Sequence, residues 1–219
     1  MFRPTLPVLL LLLAALPVAA ASPSTDAANE QARRLVRQTM QDERIPGLQV
    51  AVVKDGQVVL SEAFGLANVE NGVAATRSTR FPLNSATKAF TGVAAAQLAQ
   101  QGRPDLDAPL ARYLDALPPA WQNVRVRQLL AHTSGLPDIL DEHGLLGGGT
   151  EAQAWQAVTT RPMDAAPGQR FAYNQTNYLL LARIIARRSG MPYGHFLASS
   201  QFGKVGMDHT TFGDSYDLV

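Results

Sequence analysis

Hydrophobic positions recur at two periods along this chain. From Ala28 to about Asp42, Ala28, Ala32, Leu35, Val36 and Met40 return at helical spacing, which predicts an amphipathic helix stopped by Pro46-Gly47. Leu48 to Lys54 is rich in β-branched residues, Asp55-Gly56 is a two-residue turn, and Gln57 to Phe64 is the return strand, so a β-hairpin is expected here. Gly65 to Arg80 is polar, contains glycine and has no period, and reads as a loop. A helix beginning at Ser85 is expected to bury Phe90, Val93, Ala94 and Leu98, with Gly102 and then Pro104 as stop signals. Short helices follow at about Pro109 to Leu117 and Val124 to Ala131, then helices at Glu151 to Thr159, Asn177 to Ser189 and Pro192 to Phe202. In the Asn177 helix, Leu180, Leu181, Ile184 and Ile185 form the apolar face, and Gly190 closes it. The order is one helix, one hairpin, then a long run of helices.

The N-terminus breaks this alternation. Arg3 precedes an unbroken apolar run from Val8 to Leu16, and Ala19-Ala20-Ala21 offers an Ala-x-Ala cleavage site. The run is shorter than the ~20 residues a membrane span needs. Residues 1–21 therefore read as a signal peptide cut after Ala21, with an uncleaved anchor as the alternative, and the mature chain as residues 22–219. A periplasmic or secreted protein is expected, with no stable membrane insertion after cleavage. The chain has no cysteine, which excludes disulfides, thiol catalysis and a lipid-modified cysteine at the cleavage site.

Charge narrows the partners. The formal net charge is +1 with no long basic run, so no nucleic-acid surface is expected. Arg33-Arg34 and Arg187-Arg188 read as solvated helix faces. Gly147-Gly148-Gly149 lacks the Gly-Lys-Ser/Thr ending of a phosphate loop, so Asp138 to Thr150 is expected to be a mobile rim loop. No metal or organic cofactor is indicated.

The candidate chemistry is concentrated in three stretches. The first is Phe81 to Phe90, which contains Ser85-x-x-Lys88. Residues three apart on a helix share a face, so the hydroxyl and the amine can meet. A serine hydroxyl is a poor nucleophile until a neighbouring base takes its proton. Taken alone, the pair fits a surface helix start with an exposed lysine equally well. The second stretch is His132-Thr133-Ser134-Gly135-Leu136-Pro137. The third runs from Pro167-Gly168 through Tyr173-Asn174-Gln175 to Leu181, a loop dense in tyrosine and amides that enters a helix. Its groups can orient a polar substrate, or can simply cap the helix.

Two other hydrolytic patterns are missing. No serine sits in Gly-x-Ser-x-Gly, and there is no His-Glu-x-x-His. The four histidines, His132, His143, His195 and His209, are scattered, and each reads as structural or exposed. His132 stands apart from the other three because it precedes a Thr-Ser-Gly turn.

Together, the three stretches resemble the serine β-lactamase-related family. The branch is that of class C β-lactamases, class C-like carboxylesterases and D-alanyl-D-alanine carboxypeptidases. The resemblance runs from about Leu48 to the C-terminus. It implies an α/β, two-lobed α+β fold of the β-lactamase/penicillin-binding transpeptidase type. One lobe would be an antiparallel sheet flanked by helices, and the other a helical lobe from about Ala89 to His209, with the site at the seam. It also implies roles. Ser85 would be the acylated nucleophile, with its backbone N–H forming half of an oxyanion hole. Lys88 would accept or share its proton, and Tyr173 would be general base and acid. Lysine and tyrosine share reference pKa values of about 10, and crowding two such groups together is a physical way to make one usable near neutrality. The expected substrates are a small ester, a D-amino-acid peptide or a β-lactam, and the alternative is a non-catalytic binding protein on the same fold.

The chain departs from the family pattern twice. The asparagine of Tyr-x-Asn falls on Gln175, which keeps the amide as a substrate-binding group but lengthens its arm by one methylene. The third motif, Lys-Thr/Ser-Gly or His-x-Gly, does not occur, and no β-rich stretch follows Gly206. Family members continue with strands that pair with the N-terminal hairpin. The sequence therefore reads as the N-terminal portion of a longer protein, or a shortened copy, with C-terminal strands missing. The hairpin would then be a marginal two-stranded sheet with an open edge, and the 219-residue product alone is expected to be poorly stable or inactive.

Overall fold

The computed structural model describes residues 25–213, so the predicted signal peptide lies outside the described residues. The chain divides into two compact units at Thr79/Arg80.

In the first unit, helix α1 (Thr25–Asp42) is followed by strands β1 (Gly47–Lys54), β2 (Gln57–Asn68) and β3 (Val73–Ala74). β1 and β2 are antiparallel, in register from Gly47 opposite Gly65 to Lys54 opposite Gln57, with a bulge at Val52/Val53. Asp55 and Gly56 have φ of 51° and 76°, the two left-handed residues of a hairpin turn that matches strand twist. Gly65 is required as glycine: its φ is 72°, and a Cβ there would lie 2.1 Å from the Pro46 carbonyl oxygen.

The sheet has three strands rather than two. β2 runs on to Asn68, and β3 pairs with it through Leu66 and Ala74, inside the stretch expected to be a loop. A two-residue strand leaves no period in the sequence. The face of α1 also differs from expectation. Leu35 is 67% exposed. Arg33, expected on a solvated face, is half-buried, and its Nε and Nη2 donate to Glu62 at 2.8 and 2.6 Å. Asn29 Nδ2 donates to the Val59 carbonyl at 2.7 Å. Polar anchors thus fix the helix on β2.

The second unit holds helices α2 (Thr87–Gln100), α3 (Val126–Leu130), α4 (Glu151–Thr159), α5 (Gln175–Ser189) and α6 (Tyr193–Ser200). It begins at Arg80, ahead of the Ala89 boundary expected for the helical lobe. The segment read as a helix at Pro109 to Leu117 is reduced to a 3₁₀ turn at Leu110–Arg112. The rim loop is tied down by a small ladder, β4 (Leu140–Asp141) against β5 (Gly144–Leu145), and by burial of Ile139 and Leu146.

Helix α5 is the central element of this unit. Leu180, Leu181 and Ile184 join Leu110, Trp121, Val124, Val126 and Leu129 in the larger apolar core. Ile185 faces a second cluster with Ala94, Leu98, Leu197 and Phe202. Each such side chain contributes roughly 1.5–3 kcal/mol by leaving water. Because α5 packs on α2 through Ile185, Ala94 and Leu98, the two helices are locked side by side. Val93, expected inside, is 49% exposed, while Thr91 and Ala95 take the buried positions of α2. Among the described residues, no helix is long and apolar enough to cross a membrane.

Candidate active site

The side chains singled out in the sequence all lie in the second unit, and four of them converge. Ser85 sits in a 3₁₀ turn, Asn84–Ala86, immediately before α2, not within the helix as expected. Asn84 has φ of 47°, a left-handed conformation that asparagine tolerates better than most residues. That turn presents Ser85 at the surface, and Lys88 follows in the first turn of α2. Lys88 Nζ donates to Ser85 Oγ at 3.2 Å, the contact expected from a three-residue separation.

The other two groups arrive from α5 and the loop before it. Tyr173 Oη donates to Ser85 Oγ at 2.6 Å. Gln175, the first residue of α5, accepts from Lys88 Nζ through its Oε1 at 2.7 Å. The longer glutamine arm therefore still reaches the lysine. Lys88 Nζ also lies 4.7 Å from the Tyr173 ring centroid and 5.3 Å from that of Tyr178, within cation–π range. Ser85 Oγ accepts from an ammonium on one side and a phenol on the other.

The electrostatics follow from this packing. The Tyr173 phenol is held below the usual tyrosine range, first by the neighbouring Lys88 ammonium, then by its hydrogen bond with Ser85, with a smaller contribution from Gln175. Tyr178 goes the other way, raised mainly by burial. His132 is lowered, by burial first and by the charge of Lys88 second, with Asp138 opposing.

The second sequence motif serves as the scaffold of the third. Gly135 has φ of 72°, and a Cβ there would lie 2.1 Å from the Ala165 carbonyl oxygen, so only glycine lets the two loops touch. Across that contact, Asp164 N–H donates to Gly135 O at 2.9 Å and Gly168 N–H to Thr133 O at 2.7 Å. Asn174 is buried and caps α5: its Oδ1 accepts from Asn177 N–H at 3.1 Å, and its Nδ2 donates to Leu136 O at 2.7 Å. Gln175 N–H donates to Asp138 Oδ1 at 3.0 Å, Thr176 Oγ1 to Pro137 O at 2.8 Å, and Ser134 Oγ to Asn177 Oδ1 at 2.5 Å.

The sequence reading did not single out Asn174, Asn177, Ser134 or Asp138. The available signal was the Asn-x-x-Asn cap, which also starts α5 two residues earlier than expected. Of the histidines, His143, His195 and His209 are exposed and only His132 is buried. Among the described residues, no group of three or more His, Cys, Asp or Glu is arranged to hold a metal ion.

Comparison with known proteins adds a family and a length. The family profile described as "Beta-lactamase" matches residues 32–217. "Protein flp" of Staphylococcus aureus (strain N315) is 30% identical over 194 residues, spanning 86% of this chain and 39% of that protein. The octameric penicillin-binding protein homologue from Pyrococcus abyssi superposes with a TM-score of 0.67 at 30% identity, over 82% of this chain and 43% of that one. A class C β-lactamase solved in complex with cefoxitin superposes with a TM-score of 0.73 at 24% identity, over 89% and 55% of the two chains, a likeness of fold alone. The chain thus spans about 40% of the length of the curated relatives it matches.

Proposed function

The chain belongs to the β-lactamase family of serine hydrolases, and on that premise we propose that it carries the acylation centre of a hydrolase acting through Ser85. The observation that supports this reading best is the meeting of Lys88 Nζ and Tyr173 Oη on one oxygen, Ser85 Oγ.

The proposed reaction is an acyl transfer. Tyr173, kept towards its anion by the Lys88 ammonium, takes the proton of Ser85 as Oγ attacks the substrate carbonyl. The C–O bond to Ser85 forms, the C–O or C–N bond to the leaving group breaks, and Tyr173 passes its proton to the departing alcohol or amine. Water then attacks the acyl-serine ester, Tyr173 takes a proton from that water, and the acid leaves as Ser85 recovers its hydrogen. The Ser85 N–H, at the start of the 3₁₀ turn that leads into α2, serves as an oxyanion donor.

Small esters rank first as substrates, with D-amino-acid peptides and β-lactams behind them. Gln175 weighs against β-lactams, because its carbonyl is already committed to Lys88 and the amide sits one methylene further out than the family's asparagine. The apolar run and Ala-x-Ala site at the N-terminus support export to the periplasm or beyond.

A second reading rests on the same Gln175: a binding protein that recognises peptide or cell-wall material without acylation. Turnover of nitrophenyl esters, D-alanyl peptides and a chromogenic cephalosporin separates the two. Hydrolysis of any of them that Ser85→Ala abolishes supports the enzyme; reversible ligand binding that Ser85→Ala leaves intact, with no turnover, supports the binding protein.

A further inference from the structure

His132 is the only buried histidine among the described residues, and it lies beneath the site without touching Ser85 or Lys88 through any hydrogen bond. Its backbone is left-handed, with φ of 54°, an unusual conformation for a residue with a Cβ. That conformation has a geometrical result. The His132 carbonyl accepts the Ala172 N–H at 2.8 Å, and its imidazole Nδ1 accepts the Asn174 N–H at 3.1 Å. Those are the N–H groups of the residues immediately before and after Tyr173. The imidazole ring also packs on the Tyr173 ring, with centroids 4.6 Å apart and planes inclined by 35°. It packs on Tyr178 as well, at 5.0 Å and 28°.

We propose that His132 is the positioning residue of the acid/base: one side chain and one carbonyl clamp the backbone on both sides of Tyr173 while the imidazole supports the phenol ring. The inference rests on the reading of Tyr173 as acid/base. It assigns a role to a residue that makes no contact with the nucleophile.

The protonation state is fixed by the partners. A backbone N–H can only donate, so Nδ1 must be the acceptor and the ring proton sits on Nε2. Asn177 completes the arrangement. Its Oδ1 takes the Ser134 hydroxyl, which turns its Nδ2 towards His132 Nδ1 at 3.2 Å. Neutral His132 receives two donors, and protonated His132 could receive neither. The charged or titratable groups facing this cluster are Lys88 from α2, Asp138 from the loop after His132, Tyr173 itself and Tyr178 from α5.

The test separates the clamp from general folding. His132→Asn keeps an acceptor on the same Cγ, and asparagine tolerates the left-handed backbone. His132→Phe keeps the ring and loses the acceptor. The readout is the ultraviolet titration of Tyr173, taken as the difference between each protein and its Tyr173→Phe partner, together with the rate of labelling by a fluorophosphonate. In His132→Phe the Tyr173 titration is expected to move up towards that of an ordinary tyrosine and labelling to slow about 10–100-fold, the range that ~1 Å misplacements produce. In His132→Asn the titration is expected to stay near the parent's, with labelling within a few-fold. A merely structural role would lower the melting temperature of both variants and leave the titration where it was; that result overturns the inference. If instead Tyr173→Phe labels as fast as the parent, the acid/base reading falls while the titration still reports on the clamp.

Discussion

The hairpin of the first unit and the loops around Ser85 are built on opposite principles. In the hairpin the backbone is regular and the register follows from one two-residue turn. Around Ser85 the backbone is irregular, with left-handed residues at Asn84, His132 and Gly135. Yet its polar groups are almost fully partnered, and α5 behind it is sealed in apolar contacts. Regular structure here is set by a local turn, and the irregular loops are what bring the candidate catalytic groups together. Strained backbone persists only where its surroundings over-determine it, and the hydrogen bonds linking residues 132–138 to residues 164–177 do that.

The largest expected effect strikes the site and spares the fold. Lys88→Ala should slow acylation by about 10²–10⁴-fold, the usual contribution of a positioned acid/base partner. With the ammonium gone, the Tyr173 phenol returns towards the ordinary tyrosine range, so the residual rate should rise with pH only at a more alkaline midpoint than the parent's. Unchanged circular dichroism with a shifted rate profile confirms it; an unshifted midpoint refutes the coupling.

Next comes packing. Ile184→Ala in α5 should cost about 2–5 kcal/mol in urea unfolding, because a fully buried branched chain leaves a cavity. Val53→Thr in β1 should stay within about 0.5 kcal/mol. Comparable losses at the two positions would erase the contrast between the units.

Gly135→Ala tests the seam between the two site loops. The added methyl meets the Ala165 carbonyl and the left-handed φ penalises it further, so roughly 1–3 kcal/mol of stability and most of the labelling rate should go. Ordinary labelling in that variant would mean the loops are held by other contacts.

The smallest effects are in acid. Burial keeps folded His132 neutral, whereas in the unfolded chain it takes up a proton near pH ~6.5. The unfolded state then binds more protons, so stability should begin to fall as the pH drops through about 6.5 and keep falling towards the lower folded value. Glu62 in the first unit is depressed by its hydrogen bonds with Arg33, so its stabilisation is present above the ordinary carboxylate range and is lost only as the pH falls below it. His132→Asn should remove the first loss and leave the second. Urea midpoints measured from pH 7 down through and below the ordinary carboxylate range would read both.

The same contrast explains what could be read in the sequence. The Asp55-Gly56 hairpin and the apolar stripe of α5 were legible because a turn and a period are local. Leu35 and Val93 were placed on the wrong side because which face of a helix is covered depends on neighbours distant in sequence. β3 and the β4–β5 ladder were invisible because two residues carry no period. Ser85 and Lys88 were legible from their spacing, although the serine lies in a 3₁₀ turn. His132 was not, since nothing near it in the chain shows that Tyr173 would lie over its ring; the Thr-Ser-Gly turn after it was the one available hint.

The central claim is that Ser85 is a nucleophile activated by its two neighbours. Incubation of the full-length protein with a fluorophosphonate, followed by intact-mass measurement and peptide mapping, tests it most directly. The account predicts one adduct per chain, on Ser85, absent in Ser85→Ala and much slower in Lys88→Ala. An adduct that forms equally well in Ser85→Ala, or a parent protein that takes up none, would contradict it.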